Sequence, residues 1–137
     1  AYEIKSYTKK SMISWFKNTK SDYDKTDFFK ICIDFPRKDL IERINKRSKE
    51  MIKSGAILEV KKFIKLRVPK EKSLSKAIGI SEIKEYLQKK IQTEQLIEKI
   101  SIKTRQYAKR QSTWARGNMK DWNKVNPAGL EKILKKI

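Results

Sequence analysis

Hydrophobic positions along this chain recur mostly at intervals of three and four, which predicts helices over most of its length. Residues 2–9 have helical spacing without a start signal. Ser11 is placed to cap a short helix carrying Met12, Ile13, Trp15 and Phe16. Leu40, Ile41, Ile44, Met51 and Ile52 define an amphipathic helix ending at Gly55, which suits the left-handed position just past a helix. Ile57, Leu58, Val60, Phe63, Ile64 and Leu66 define the next helix, stopped before Pro69. A Ser/Lys-rich link over 71–76 leads to Ala77-Ile78-Gly79-Ile80. Ser81 is then expected to cap a short helix of Ile83, Tyr86 and Leu87, and Thr93 a long one running to about Arg116. Asn126-Pro127 is a cap and first-turn pair that opens the terminal helix.

The period changes to that of a strand in Phe28-Phe29-Lys30-Ile31-Cys32-Ile33-Asp34-Phe35, a β-branched and aromatic run closed by Pro36. A lone strand is not stable, and the other candidate partner runs from Met119 to Lys124. The unpartnered strand and a start on Ala1-Tyr2-Glu3-Ile4, already in helical pattern, lead to the expectation that further sequence belongs with this chain. The polar loop from Ser21 to Asp27 carries Asp22, Asp24 and Asp27. It lacks the central Gly and terminal Glu of a calcium loop, so calcium is not expected there.

Charge changes the picture. Among 137 residues, 35 are Lys or Arg and 16 are acidic, for a net charge of +19. Such a chain repels itself when compact and attracts polyanions, nucleic acid first and an anionic membrane second. A plainer reading treats scattered lysines as a solvated surface. It accounts less well for a dense arginine cluster. Cys32 is the one cysteine, which excludes an intrachain disulfide and fits a reducing compartment. With no histidine, His-ligated zinc, Ser-His triads and Cys-His dyads are excluded. No apolar run approaches the ~20 residues of a membrane span.

The cluster is Thr104-Arg105-Gln106-Tyr107-Ala108-Lys109-Arg110-Gln111-Ser112-Thr113-Trp114-Ala115-Arg116. Four cations, two glutamines and two aromatics share one helical stretch. At ~100° per residue, Arg105, Lys109, Ser112 and Arg116 fall within a wedge of about 60°. Ile97, Ile100, Thr104, Ala108, Gln111 and Ala115 lie on the neighbouring face, with Tyr107 and Trp114 at its margin. The helix is expected to show one side to a core, Tyr107 included, and a cationic ridge to a phosphate backbone, with Gln106 and Gln111 reaching base edges or sugars. Elsewhere, the Arg47 guanidinium on the helix after the strand is shaped for a diphosphate. A simple helix ion pair with Glu42 or Glu50 is the alternative. Gly79, between Ile78 and Ile80, permits a tight turn or the close approach of another backbone.

These residues resemble the C-terminal half of the tRNA dimethylallyltransferase (tRNA isopentenyltransferase) family. The matching pieces keep the family's order: Ala1-Tyr2-Glu3-Ile4 with Thr8 and Lys10; Arg43-Ile44 and Arg47; Met51 with Gly55, Glu59 and Val60; Ala77-Ile78-Gly79; and Thr104 to Gln111 with Thr113, Trp114 and Arg116. The resemblance covers residues 1 to about 127, and the last block is its specific part. It implies a mainly α chain whose one or two short strands belong to a P-loop-kinase-like α/β core, the N-terminal half of that core being absent. Its parts would be the end of a helical insertion with connector (1–27), a core strand (28–35), a helical tRNA-binding region (37–116) and a C-terminal strand and helix (117–137), forming a single unit.

The activity implied is transfer of a dimethylallyl group from dimethylallyl diphosphate to N6 of the adenosine 3′ of the anticodon, with that base extruded from its stack. The resemblance assigns Arg47 to the donor diphosphate. It places Lys76, Ala77, Ile78, Gly79, Ile80 and Ser81, together with Arg105, Lys109, Arg110, Gln111, Ser112, Thr113, Trp114, Ala115 and Arg116, against the anticodon stem-loop of tRNA. It implies a cytoplasmic, monomeric protein without membrane contact, and Mg2+ in the full-length enzyme but none held by this part. The sequence contains no Gly-x-x-x-x-Gly-Lys-Ser/Thr phosphate loop and lacks the family's acidic general base. Ile80 stands where the family usually has a tyrosine, and Ala115 where it has a bulky residue. The expectation is a chain that binds but does not catalyse. Two other classes stay open on composition alone: a free-standing basic helical RNA-binding module, and a basic amphipathic protein at membrane surfaces.

Overall fold

In the computed structural model, which describes residues 2–135, the chain divides into two units, residues 1–30 and 31–137. In the first, α1 (Tyr2–Thr8) and α2 (Met12–Asn18) are joined by a turn that local hydrogen bonds hold. The Ser11 hydroxyl accepts the Ser14 N–H at 3.1 Å, the cap expected from sequence. Thr8 Oγ1 accepts the Lys10 N–H and the Trp15 indole N–H, both at 3.3 Å. The aspartate loop closes on itself. Asp27 Oδ2 accepts the Asp24 N–H at 2.7 Å around a short 3-10 turn (Lys25–Asp27).

In the second unit, β1 (Ile31–Ile33) pairs in parallel with β2 (Asn123–Val125), with Ile31 opposite Asn123 and Ile33 opposite Val125. Asp34 N–H extends the ladder to Val125 O at 2.9 Å. Both strands are shorter than or displaced from the expected 28–35 and 119–124. The long helix runs on to Asn118 and a turn follows it, Trp122 N–H bonding to Met119 O, so β2 starts only at Asn123. Pro127, without an N–H, follows it closely. With three residues to pair against, β1 keeps three. Phe35, past its end, instead lies under the Arg43 guanidinium, 4.6 Å from ring centroid to Cζ.

Between the strands run α3 (Arg37–Lys53), α4 (Ala56–Lys65), α5 (Ile80–Leu87) and α6 (Thr93–Asn118), and α7 (Leu130–Leu134) follows β2. Gly55 takes φ +105° at the α3–α4 junction, a conformation that disfavours any side chain, and so ends α3 where expected. Asn126 Oδ1 accepts the Ala128 N–H at 3.1 Å to open the terminal turn, also as expected. Two caps differ. Gly79, not Ser81, precedes α5, and Gln92, not Thr93, precedes α6, its N–H bonded to Gln95 Oε1 at 2.9 Å.

The core is the cluster Val60, Ile80, Ile83, Leu96 and Ile100, flanked by partly buried Met51, Ile52, Ile57, Phe63 and Tyr86. α6 packs against both α3 and α5, and α4 against α3 and α5. Leu58, Ile64 and Leu66, part of the helical pattern of α4, stay exposed.

Candidate nucleic-acid interface

α6 has 26 residues, about 39 Å of helix at 1.5 Å per residue. Its buried residues, Leu96, Ile100 and Ser101, all lie in its first third. Beyond Thr104 the core stripe continues along the helix but leaves the packed region. There Gln111, Trp114 and Ala115, with Arg110 and Met119, line an open groove of about 430 Å³. Trp114 is 58% exposed and Tyr107 48%, so the expectation of Tyr107 in the core is corrected. Its ring lies 5.7 Å from the Arg110 guanidinium.

The cations divide by flank. Arg105 is half-buried and Nη1 donates to Asn45 Oδ1 of α3 at 3.0 Å. Lys109, Ser112 and Arg116 follow it along the same side of α6 and are exposed. Arg116 is steadied by its own helix, Nη2 to Thr113 Oγ1 and Nε to Ser112 O both at 3.4 Å, while Thr113 Oγ1 donates to Lys109 O at 3.0 Å. At ~100° per residue, Lys103 and Arg110 stand on the opposite flank, with the groove between the two sets.

No acidic residue occurs from Lys99 to Lys120. Among the described residues the ion pairs engage Lys46, Lys99 and Lys103, and none engages Arg105, Lys109, Arg110 or Arg116. Unpaired cations on both sides of an exposed aromatic surface suit a polyanion with stackable rings.

The second predicted segment forms the approach to α5. A 3-10 turn (Ser73–Lys76) is followed by exposed Ala77 and Ile78. Gly79 sits at φ +104°, and a Cβ there would lie 3.6 Å from Met51 Cε. Its conformation, more than its space, requires glycine. Ile80 is buried in the core cluster and Ser81 is exposed.

Glu82 and Lys103, neither singled out from the sequence, bind this segment to α6. Glu82 is 2% exposed, its Oε2 accepting the Gly79 N–H at 2.9 Å and its Oε1 pairing with the Lys103 ammonium. The Ser81 hydroxyl donates to Glu82 Oε1 at 2.9 Å and accepts from Lys103 Nζ at 3.2 Å. Burial pushes the Glu82 carboxyl up. Lys103, the N–H groups of Glu82 and Gly79 and the Ser81 hydroxyl outweigh burial and hold it below its ordinary 4.5. A glutamate three residues after a helix cap was a readable signal, had Gly79 been taken as the cap. Lys103 gave none, since its partner is on another helix.

Arg47 lies on α3, exposed. Among the described residues its ion-pair alternative is not realised, for Glu50 approaches Lys46 at 3.9 Å and Glu42 makes no ion pair. Arg43, one turn earlier, is occupied by Phe35. The structure thus leaves Arg47 a free guanidinium fork. Among the described residues no group of three or more His, Cys, Asp or Glu is clustered to hold a metal ion.

Fold and surface together define a mainly helical chain with two parallel strands of a larger α/β core and a basic helix with exposed aromatic residues. Comparison gives this class a family. Residues 1–118 match the family model described as IPP transferase, and the chain belongs to that family. It is 52% identical over 137 residues to a tRNA dimethylallyltransferase of Pelagibacter ubique, spanning all of this chain and 44% of that protein. A solved tRNA delta(2)-isopentenylpyrophosphate transferase from Staphylococcus epidermidis superposes with a TM-score of 0.70 at 30% identity, covering 99% of this chain and 46% of the other. A full-length tRNA isopentenylpyrophosphate transferase from Bacillus halodurans gives 0.65 at 32%, covering 83% and 36%. The chain therefore spans less than half the length of these relatives. The mainly α class expected from sequence, with short strands of a larger P-loop-kinase-like core, is the one the structure and its solved neighbours share. Among the described residues no helix is long and apolar enough to cross a membrane.

Proposed function

We propose that this chain is the tRNA-gripping portion of a tRNA dimethylallyltransferase and contributes one arginine to the donor site. In the reaction N6 of an adenosine beside the anticodon attacks the first carbon of dimethylallyl diphosphate. The bond from that carbon to the diphosphate oxygen breaks, diphosphate leaves with the bonding pair, and N6 gives up one proton. Arg47 binds the diphosphate as a fork and stabilises the charge that develops on it. The proton acceptor and the phosphate-cradling loop lie outside this sequence. The chain by itself accordingly binds and does not transfer.

On the tRNA side, Lys109 and Arg116 grip one phosphate run and Arg110 another. Trp114 offers a stacking face between them, with Gln111 beside it. Lys76 to Ser81 meet the backbone through exposed Lys76, Ala77 and Ser81, with the buried Gly79 and Ile80 fixing the turn that presents them. The single observation that carries this reading is the set of four cations without acidic partners, standing on both flanks of an exposed aromatic groove.

The test is fluorescence anisotropy of an anticodon stem-loop with adenosine 3′ of the anticodon, titrated across a salt series against a scrambled hairpin of equal charge. Preference for the stem-loop is the expected result. Equal affinity for both reduces this surface to electrostatic grip, and absence of binding to either overturns the reading.

A further inference from the structure

A carboxylate with 2% exposure is an expensive way to begin a helix, because Ser, Asn or Asp caps do so from the surface. Glu82 does more than cap. Its two oxygens reach the backbone N–H of the left-handed Gly79, the Ser81 hydroxyl and the Lys103 ammonium. One side chain thus sets the turn at Gly79, the rotamer of Ser81 and the seating of α5 on α6. Every polar atom in this cluster is used, and the described residues contain no buried side-chain N or O without a partner. Lys103 belongs to the same acid-free run as Lys109 and Arg110 and reads as one more phosphate cation. In the structure Glu82 already neutralises it.

We propose that Glu82 and Lys103 are positioning residues for RNA recognition: they lock the Lys76–Ser81 segment in the conformation that meets the nucleic acid, and Lys103 itself makes no phosphate contact. This rests on the function proposed above. The lock acts at the junction of the two RNA-facing elements, so releasing it misplaces Ala77 to Ser81 while leaving the free cations of α6 where they are.

The two roles separate by salt dependence. A phosphate contact contributes a released counterion and a positioning residue does not. Stem-loop binding is measured across a salt series for the wild-type protein and for Glu82→Gln, Glu82→Ala, Lys103→Met and Lys109→Ala, with helix content followed by circular dichroism. Glu82→Ala is expected to weaken binding about tenfold, the scale of losing a hydrogen bond to a charged group, with the wild-type salt slope. Glu82→Gln, which retains an acceptor for the Gly79 N–H, restores most of the affinity. Lys103→Met weakens binding at an unchanged slope, whereas Lys109→Ala lowers the slope by about one.

Wild-type affinity in a folded Glu82→Ala protein overturns the proposal, as does a slope lowered by one in Lys103→Met. If Glu82→Ala does not fold, Glu82→Gln and Lys103→Met decide, and wild-type affinity in both overturns it. A wild-type protein that fails to bind the stem-loop overturns the functional reading first and this proposal with it, and that arm is read before any variant.

Discussion

The two ends of α6 are one uninterrupted helix with opposite uses. Up to Thr104 its apolar stripe is packed into the core, and its two lysines are paired across to α5: Lys99 with Glu85, Lys103 with Glu82. Beyond Thr104 the same stripe continues as Ala108, Gln111 and Ala115, none of them fully buried, and among the described residues the cations have no acidic partners. The helix is thus rigid because of its first half and available because of its second. On the proposed reading, a binding surface mounted on a packed helix costs little ordering entropy on association, and it keeps that advantage only while the buried half holds.

Breaking the buried half has the largest expected effect. Leu96 is 0% exposed, and Leu96→Ala should lower stability by about 2–5 kcal/mol in urea denaturation. Trp114→Ala, on the same helix, should change stability by less than about 0.5 kcal/mol. It should weaken stem-loop binding by about 1–3 kcal/mol in anisotropy, the scale of one base–aromatic stack. If both substitutions act alike on stability, the division of α6 is wrong.

Arg105 sharpens the boundary, because it is a member of the ridge that has a partner in the fold. Arg105→Ala should cost about 1 kcal/mol of stability through the lost bond to Asn45. Lys109→Ala and Arg116→Ala should cost almost none and each lower the salt slope of RNA binding by about one. The smallest effect is in pH. Glu82 titrates below 4.5 in the folded protein and near 4.5 in the unfolded chain, so its stabilising contribution is full above 4.5 and is lost as pH falls through the lower native value. Thermal melts should show Glu82→Gln with a flatter stability curve over that acidic range than the wild type.

Features that depend on neighbours in sequence were legible. Ser11 capping, Gly55 termination, the Asn126-Pro127 opening and the periodicity of α6 involve contacts within a few residues, where residue type and spacing decide the outcome. The cap of α5 was missed for an instructive reason. Ser81 is chemically the better cap, but the backbone turns left-handed at Gly79 and commits the chain two residues earlier, leaving the Ser81 hydroxyl to bond Glu82. The strand was located correctly and overextended, since the length of a ladder is set by its partner, here only three residues long. Tyr107 was misplaced because helical spacing tells which side a residue faces and not whether anything packs there.

By itself, then, the sequence determined a basic, mainly helical chain, the helix that carries its cationic and aromatic residues, and through its motif block the family. These are properties of composition and short-range pattern, for which the local chain suffices. Only the tertiary structure decided which cations are free. Lys103 and Arg105, two residues apart on α6, are engaged by Glu82 of α5 and Asn45 of α3, while among the described residues Lys109, Arg110 and Arg116 have no acidic partner. The partners come from distant helices, and a charge is available to a ligand only when packing has brought no counter-charge to it.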